Sequence, residues 1–227
     1  MREEEFYVGY VPQAPAGVGR LVRRVVIGLL ALAAALSVTL VLAQRPFAVA
    51  SFEYGVVRDF AGVLYEHPFP HVVTADRTSY LLAGAGKHGS REVMGHDGQD
   101  VRLRGSRVLR AGMTMIEVET GSARFGAASH GAEKVTVMGR QSLRGEIVDG
   151  KCYLGVMNPG AGQVHRDCAA RCLAGGLPAL FVTGGEVLVL SGFDARNNME
   201  KVGVPLTLEG VRKRIGGLEV LTDFTIQ

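Results

Sequence analysis

The sequence predicts a mainly β protein, with one N-terminal transmembrane helix followed by two tandem small β-barrel units, the second carrying an inserted short helix. Three observations predict it. Val25 to Ala43 is an unbroken stretch without a charge. From Phe52 onward, short apolar runs are interrupted by Gly, Pro and Asp, and Val101-Arg-Leu-Arg-Gly105 alternates apolar with charged residues, the pattern of a half-exposed strand. The third is an internal repeat within this β region.

Composition removes several alternatives. Glycine accounts for 31 of 227 residues, about twice the usual share. With only 8 prolines and no Gly-X-Y period, neither collagen nor a Pro-rich linker protein fits. An apolar fraction of 47% excludes an intrinsically disordered chain. A net charge of +3 is too small to imply a nucleic-acid partner.

The apolar segment VVIGLLALAAALSVTLVLA would form a helix about 28 Å long, close to the hydrocarbon thickness of a bilayer. Arg20, Arg23 and Arg24 precede it and Arg45 follows it. The excess of positive charge on the N-terminal side places residues 1–24 in the cytoplasm and the rest outside it. The competing reading is a signal peptide, because Val41-Leu42-Ala43 before Gln44 resembles a cleavage site. The 24-residue leader and the length of the apolar run favour an uncleaved anchor. In the leader, Pro12 and Pro15 disfavour helix, and Phe6, Tyr7 and Tyr10 suit a membrane surface, a partner or a free tail. Pro46 is expected to stop the helix.

The repeat aligns VRLRGSRVLRAGMTMIEV (101–118) with PLTLEGVRKRIGGLEVLTDF (205–224) at an offset of 105. Gly105 falls on Gly210, Arg107 on Arg212 and Gly112 on Gly217. Each copy reads as strand, basic stretch, Gly turn and strand, a hairpin that closes a unit. A looser match sets Gly55-Val-Val-Arg-Asp59 against Gly145-Glu-Ile-Val-Asp149. The resulting organisation is a tail (1–24), a membrane helix (25–43), a linker (44–51), a first barrel unit (52–119), a small polar linker (120–134) and a second barrel unit (135–227). Units of this length with about five strands suit small barrels better than sandwiches. The closing pattern resembles the last hairpin of OB-fold domains, and the glycine excess fits barrel corners.

All three cysteines lie in GEIVDGKCYLGVMNPGAGQVHRDCAARCLAGGLPALFV (145–182). After the turn at Asn158-Pro159-Gly160, a helix is predicted over 163–174, ended by Gly175-Gly176 and Pro178. His165, Cys168 and Cys172 then form a stripe at i, i+3 and i+7, and Cys152 on the opening strand can fold over to meet them. The first unit has no counterpart to this insertion. Several readings remain open. One is a disulfide, Cys152–Cys168 or Cys152–Cys172, in an oxidising compartment, which leaves one thiol over. A second is a metal site of Cys152, His165, Cys168 and Cys172, whose three thiolates and one imidazole suit zinc, copper or an iron–sulfur centre. A third is thiol redox or nucleophilic chemistry aided by His165, and in a fourth His165 is only a surface residue. Without C-x-x-C or C-x-x-C-H, no standard redox pair or haem attachment is indicated, and the leading expectation is no cofactor.

Gly84-Ala-Gly-Lys-His-Gly89 lacks the spacing and Lys-Ser/Thr ending of a phosphate loop and reads better as a turn with Lys87 and His88 at its tip. His67, His71, His88 and His96 are read as scattered loop histidines rather than a metal site. Arg102, Arg104, Arg107 and Arg110 are read as a basic face for docking an acidic partner or anionic headgroups.

At Cys152-Tyr-Leu-Gly-Val-Met157, His165-Arg-Asp-Cys-Ala-Ala-Arg-Cys172, Gly175-Gly-Leu-Pro178 and Tyr80-Leu-Leu-Ala-Gly-Ala-Gly-Lys-His-Gly89, the chain resembles a family of bacterial membrane-anchored periplasmic proteins associated with respiratory or other membrane redox complexes. That family brings no established activity or residue roles. The resemblance implies a non-catalytic accessory subunit of an inner-membrane electron-transfer complex, respiratory or photosynthetic. The membrane and the other subunits would be its partners, and it would bind no nucleic acid. The alternatives are a periplasmic metal-binding or thiol-redox protein and a membrane-anchored assembly factor.

Overall fold

Helix α1 runs from Ala16 to Ala43 in a computed structural model that describes residues 13–44, 49–128 and 131–227. The tail aromatics Phe6, Tyr7 and Tyr10, and the helix stop at Pro46, lie outside the described residues. α1 starts nine residues before the apolar run and carries Arg20, Arg23 and Arg24. It begins directly behind Pro15, whose carbonyl accepts the Gly19 N–H at 3.0 Å; proline lacks only an N–H that a helix start leaves unpaired anyway. At 28 residues, about 42 Å, and with a mean hydropathy of 2.7 over its most apolar window, α1 is long and apolar enough to cross a membrane. A signal sequence meets the same criterion. Its two hydroxyls are satisfied internally, Ser37 donating to Ala33 O and Thr39 to Ala35 O at 2.8 Å each, the back-bond that Ser and Thr commonly make within a helix.

The remainder of the chain contains two closed five-stranded barrels. The first is built from β2 (Arg58–Tyr65), β3 (His71–Val73), β4 (Ser79–Ala83), β5 (Gln99–Arg110) and β6 (Met113–Val118). β4 and β6 are parallel and the other pairs antiparallel, and the barrel closes in the order β2-β3-β4-β6-β5. The second uses β8 (Val135–Asp149), β9 (Ala179–Thr183), β10 (Glu186–Leu190), β11 (Pro205–Ile215) and β12 (Leu218–Ile226). It closes as β8-β9-β10-β12-β11, again with one parallel pair, β10 and β12. Both follow the five-strand order of OB-like barrels. Two further strands lie on β5, β1 (Ala50–Phe52) and β7 (Arg124–Ala128). Segments 44–51 and 120–134, read from composition as linkers, therefore each contribute a strand to the first unit.

The register explains the glycines. Gly105 pairs with Arg58 on one side and Val118 on the other, so this residue is where β5 passes from one neighbour to the next. A Cβ there would run into Glu117 O. Gly210, its counterpart in the repeat, pairs with Gln141. The partners four residues further along are Gly62 opposite Val101 and Gly145 opposite Leu206. A Cβ at Gly62 would strike Val73 O and one at Gly145 would strike Val182 O. Gly62, not Gly55, is thus the equivalent of Gly145; Gly55 sits in a turn before β2 at φ +77°. The closing turns also correspond, although the positive φ falls on Ala111 and Gly112 in the first unit and on Gly216 in the second.

The barrels share a core. Leu82 and Ile116 fill the first barrel, and Phe181, Leu188 and Leu221 fill the second. Their sequence neighbours point the other way: Leu81, Ala83 and Met115 meet Leu180, Val187, Val189 and Val220 in a third apolar cluster. The strands on either side of this seam are buried on both faces, which is why YLLA, ALFV and VLVL read as continuous apolar runs.

Candidate thiol site

β8 ends at Asp149, whose Oδ1 accepts the Cys152 N–H at 2.9 Å. This cap, of the kind that starts a helix, turns the chain into a wide helical turn over Cys152–Val156. After the loop, a 3-10 turn at Gln163–His165 leads into α2 (Arg166–Ala174). Gly176, at φ +90°, ends α2 by donating to Leu173 O at 3.0 Å, while Leu177 donates to Cys172 O at 3.1 Å. These two bonds make the Schellman closure that the Gly-Gly pair predicts.

This frame brings the three thiols together. The sulfurs of Cys152, Cys168 and Cys172 all lie within 4.8 Å of one another, and Cys152 Sγ is 3.8 Å from Cys172 Sγ. Cys152 and Cys172 are buried and Cys168 is half-buried; all three are free thiols. Neither expected disulfide, Cys152–Cys168 or Cys152–Cys172, is formed, although both pairs are adjacent. His165 does not join the three sulfurs. It precedes α2 and turns inward, with Nε2 3.1 Å from Oδ2 of the fully buried Asp149, and it forms a second group with Asp149 and Cys152. The predicted four-residue set is therefore divided, with Cys152 common to both groups.

The first barrel completes the surroundings. The loop at 84–89 packs on the end of α2: Gly89 N–H donates to Gly175 O at 3.1 Å. Side chains at Gly89 or Gly175 would collide with Gly176 O or Lys87 O. Close approach to α2 is what Gly89 of the apparent phosphate loop allows, while Gly86 supplies a positive φ. At its tip Lys87 places Nζ 3.2 Å from Cys168 Sγ, and the bond raises the ammonium's pKa. The two buried thiols diverge. Cys172 is lowered by its hydrogen bond with Cys152 and by the charge of Lys87. Cys152 is pushed far up, because ionising it would break that same bond and because it is buried beside Asp149. Cys172 is thus the thiol of this pair that ionises first.

Sequence reasoning did not single out Asp149 or Lys151. Lys151 is buried, donating to Gly84 O and Gly86 O at 2.7 Å each and pairing with Glu117. An Asp three residues before a helical turn is the signal that would have identified the first; an isolated Lys carries none.

The four arginines of β5 do not share a face. Arg102 and Arg104 are exposed beside Arg124 along one groove. Arg107 binds Glu53 at 2.6 Å. Arg110 is buried, its guanidinium donating to Tyr153 O and Pro159 O at 2.9 Å and lying 4.4 Å from the Tyr153 ring. β5 alternates up to Arg104 and then coils through Gly105 onto its other neighbour, which turns the later arginines elsewhere. The histidines also take separate places. His67 and His88 are exposed, His71 is buried against Glu133 at 2.8 Å, and His96 stacks on Phe125.

No family model matches the chain, and no curated protein does. The crystal structure of the tetrameric p202 HIN2 aligns at 10% identity over 80% of this chain and 98% of that one, with a TM-score of 0.25. At that level the likeness carries no inference.

Proposed function

We propose that the chain is a membrane-anchored, non-catalytic accessory subunit of an inner-membrane electron-transfer complex, whose two fused barrels form a rigid docking body on the periplasmic side. The observation that carries this reading is the use made of the buried polar side chains at the seam. Lys151 clasps the 84–86 loop, Arg110 holds two carbonyls and a ring of the inserted segment, and His71 holds Glu133 of the inter-barrel connection. Each joins one unit to the other or to their connection. Such groups give a body fixed geometry, the property a scaffold needs. α1 supplies a membrane attachment, and Arg20, Arg23 and Arg24 at its N-terminal end favour a cytoplasmic N-terminus. The assignment to an electron-transfer complex rests on the resemblance of the Cys/His segment. Exposed Arg102 and Arg124, beside an Arg104 paired with Glu119 at 3.2 Å, offer a basic surface to an acidic subunit.

Purification of the full chain from its own membranes in mild detergent, followed by mass spectrometry, tests this. Stoichiometric recovery with cofactor-bearing membrane subunits is expected; a chain that migrates alone would end the proposal.

A further inference from the structure

We infer that Cys152, Cys168 and Cys172 are three thiolate ligands of one zinc(II) ion, seated where the inserted segment meets the first barrel. Spacing is the first argument. Thiolates 2.3 Å from a tetrahedral ion stand about 3.8 Å apart, and Cys152 Sγ lies 3.8 Å from Cys172 Sγ. A disulfide would require about 2.05 Å and would leave one of three converging sulfurs unused. A metal uses all three. The second argument is rigidity. Cys168 and Cys172 are one helical turn apart on α2, and Cys152 is fixed by the Asp149 cap, so the ligands come from two braced elements rather than a loose loop.

Charge supplies the third argument. Three thiolates around zinc(II) leave one negative charge, and Lys87 stands 3.2 Å from Cys168 Sγ to offset it. Around copper(I) the same set would leave two negative charges against one ammonium. Each thiol that still holds its proton releases it on binding. Asp149 and His165 lie behind Cys152 and hold each other. Asp149 accepts the Cys152 N–H and so braces the ligand from outside the sulfur cluster, as hydrogen-bond partners of metal ligands commonly do.

This inference stands apart from the membrane-complex reading, which depends on co-purification and not on metal. The test uses the full chain in detergent, reduced anaerobically, incubated with zinc(II) or with copper(I) and then freed of excess ion. One zinc per chain by elemental mass spectrometry is expected, with all three thiols shielded from a thiol reagent until a chelator is added. Cys168→Ser replaces the least buried ligand and is expected to retain the apo protein's thermal transition while binding zinc at least tenfold more weakly. Lys87→Gln is expected to weaken zinc binding about tenfold with the one-to-one ratio kept. The inference is overturned if the reduced chain keeps no zinc while its thiols stay reactive, if it retains copper(I) and not zinc(II), or if Cys168→Ser binds as tightly as the natural chain.

Discussion

Lys151 ties the inserted segment to the first barrel across the seam. Its ammonium is buried against Glu117 and two carbonyls of the first barrel. Lys151→Met keeps the length but leaves that carboxylate and both carbonyls without their donor. Removing one member of a buried pair costs about 3 kcal/mol, so the thermal transition should fall by roughly 6–12 °C, as calorimetry would read. Glu53 offers a pH test. Hydrogen bonds from Arg107 and then Arg58 lower its pKa from 4.5 to about 2. A carboxylate depressed on folding adds stability that is present above the unfolded value and lost as pH falls through the folded one. Glu53→Gln should therefore be less stable than the natural chain above pH 4.5, with the difference vanishing as pH falls from 4.5 towards about 2. A constant difference down to that pH would show that the ion pair is not its source. These contacts are not legible in sequence, because a charge gives no sign of which distant partner it meets. The three cysteines were legible as a cluster because the insertion holds them together. His165 was misplaced because the helix starts one residue after it.

At the scale of elements, local chemistry predicted what it governs and missed what pairing governs. α2 was read from its Gly-Gly-x-Pro ending, since a Schellman closure depends only on neighbouring residues. The repeated hairpin was read from its alternation and turn glycines. β7 was missed because Arg124–Ala128 has the small, polar composition of a loop and becomes a strand only by adding to β5. Sequence similarity alone sets Gly55 against Gly145, one turn too early, whereas close approach to a neighbouring strand selects Gly62. That distinction is measurable. Gly62→Ala forces a Cβ into Val73 O and should cost about 3 kcal/mol, at the upper end of overpacking. Gly55→Ala meets open space and only the strain of a positive φ, about 1 kcal/mol. Denaturant midpoints of the two variants should separate in that order. Equal losses would mean that the close approach in the barrel relaxes freely.

For the molecule as a whole, the sequence suggested two units joined by a linker, and the structure joins them through a shared core. Alternation could not reveal this. A strand buried on both faces loses its period, and its continuous apolar run does not say whether the second face meets a helix, a membrane or another barrel. The consequence is thermodynamic. If the cluster around Leu81, Met115, Leu180 and Val189 binds the barrels strongly, neither keeps its outer face covered when the other unfolds, and the two should melt as one cooperative unit. Leu82→Ala opens a cavity only in the first barrel and Phe181→Ala only in the second, each costing about 3 kcal/mol. Both should shift the same single calorimetric transition of the full chain in detergent, by a similar amount. Two transitions, each moved by only one of the variants, would instead make the barrels independent domains. The seam would then be a contact between folded units rather than the core that makes them one.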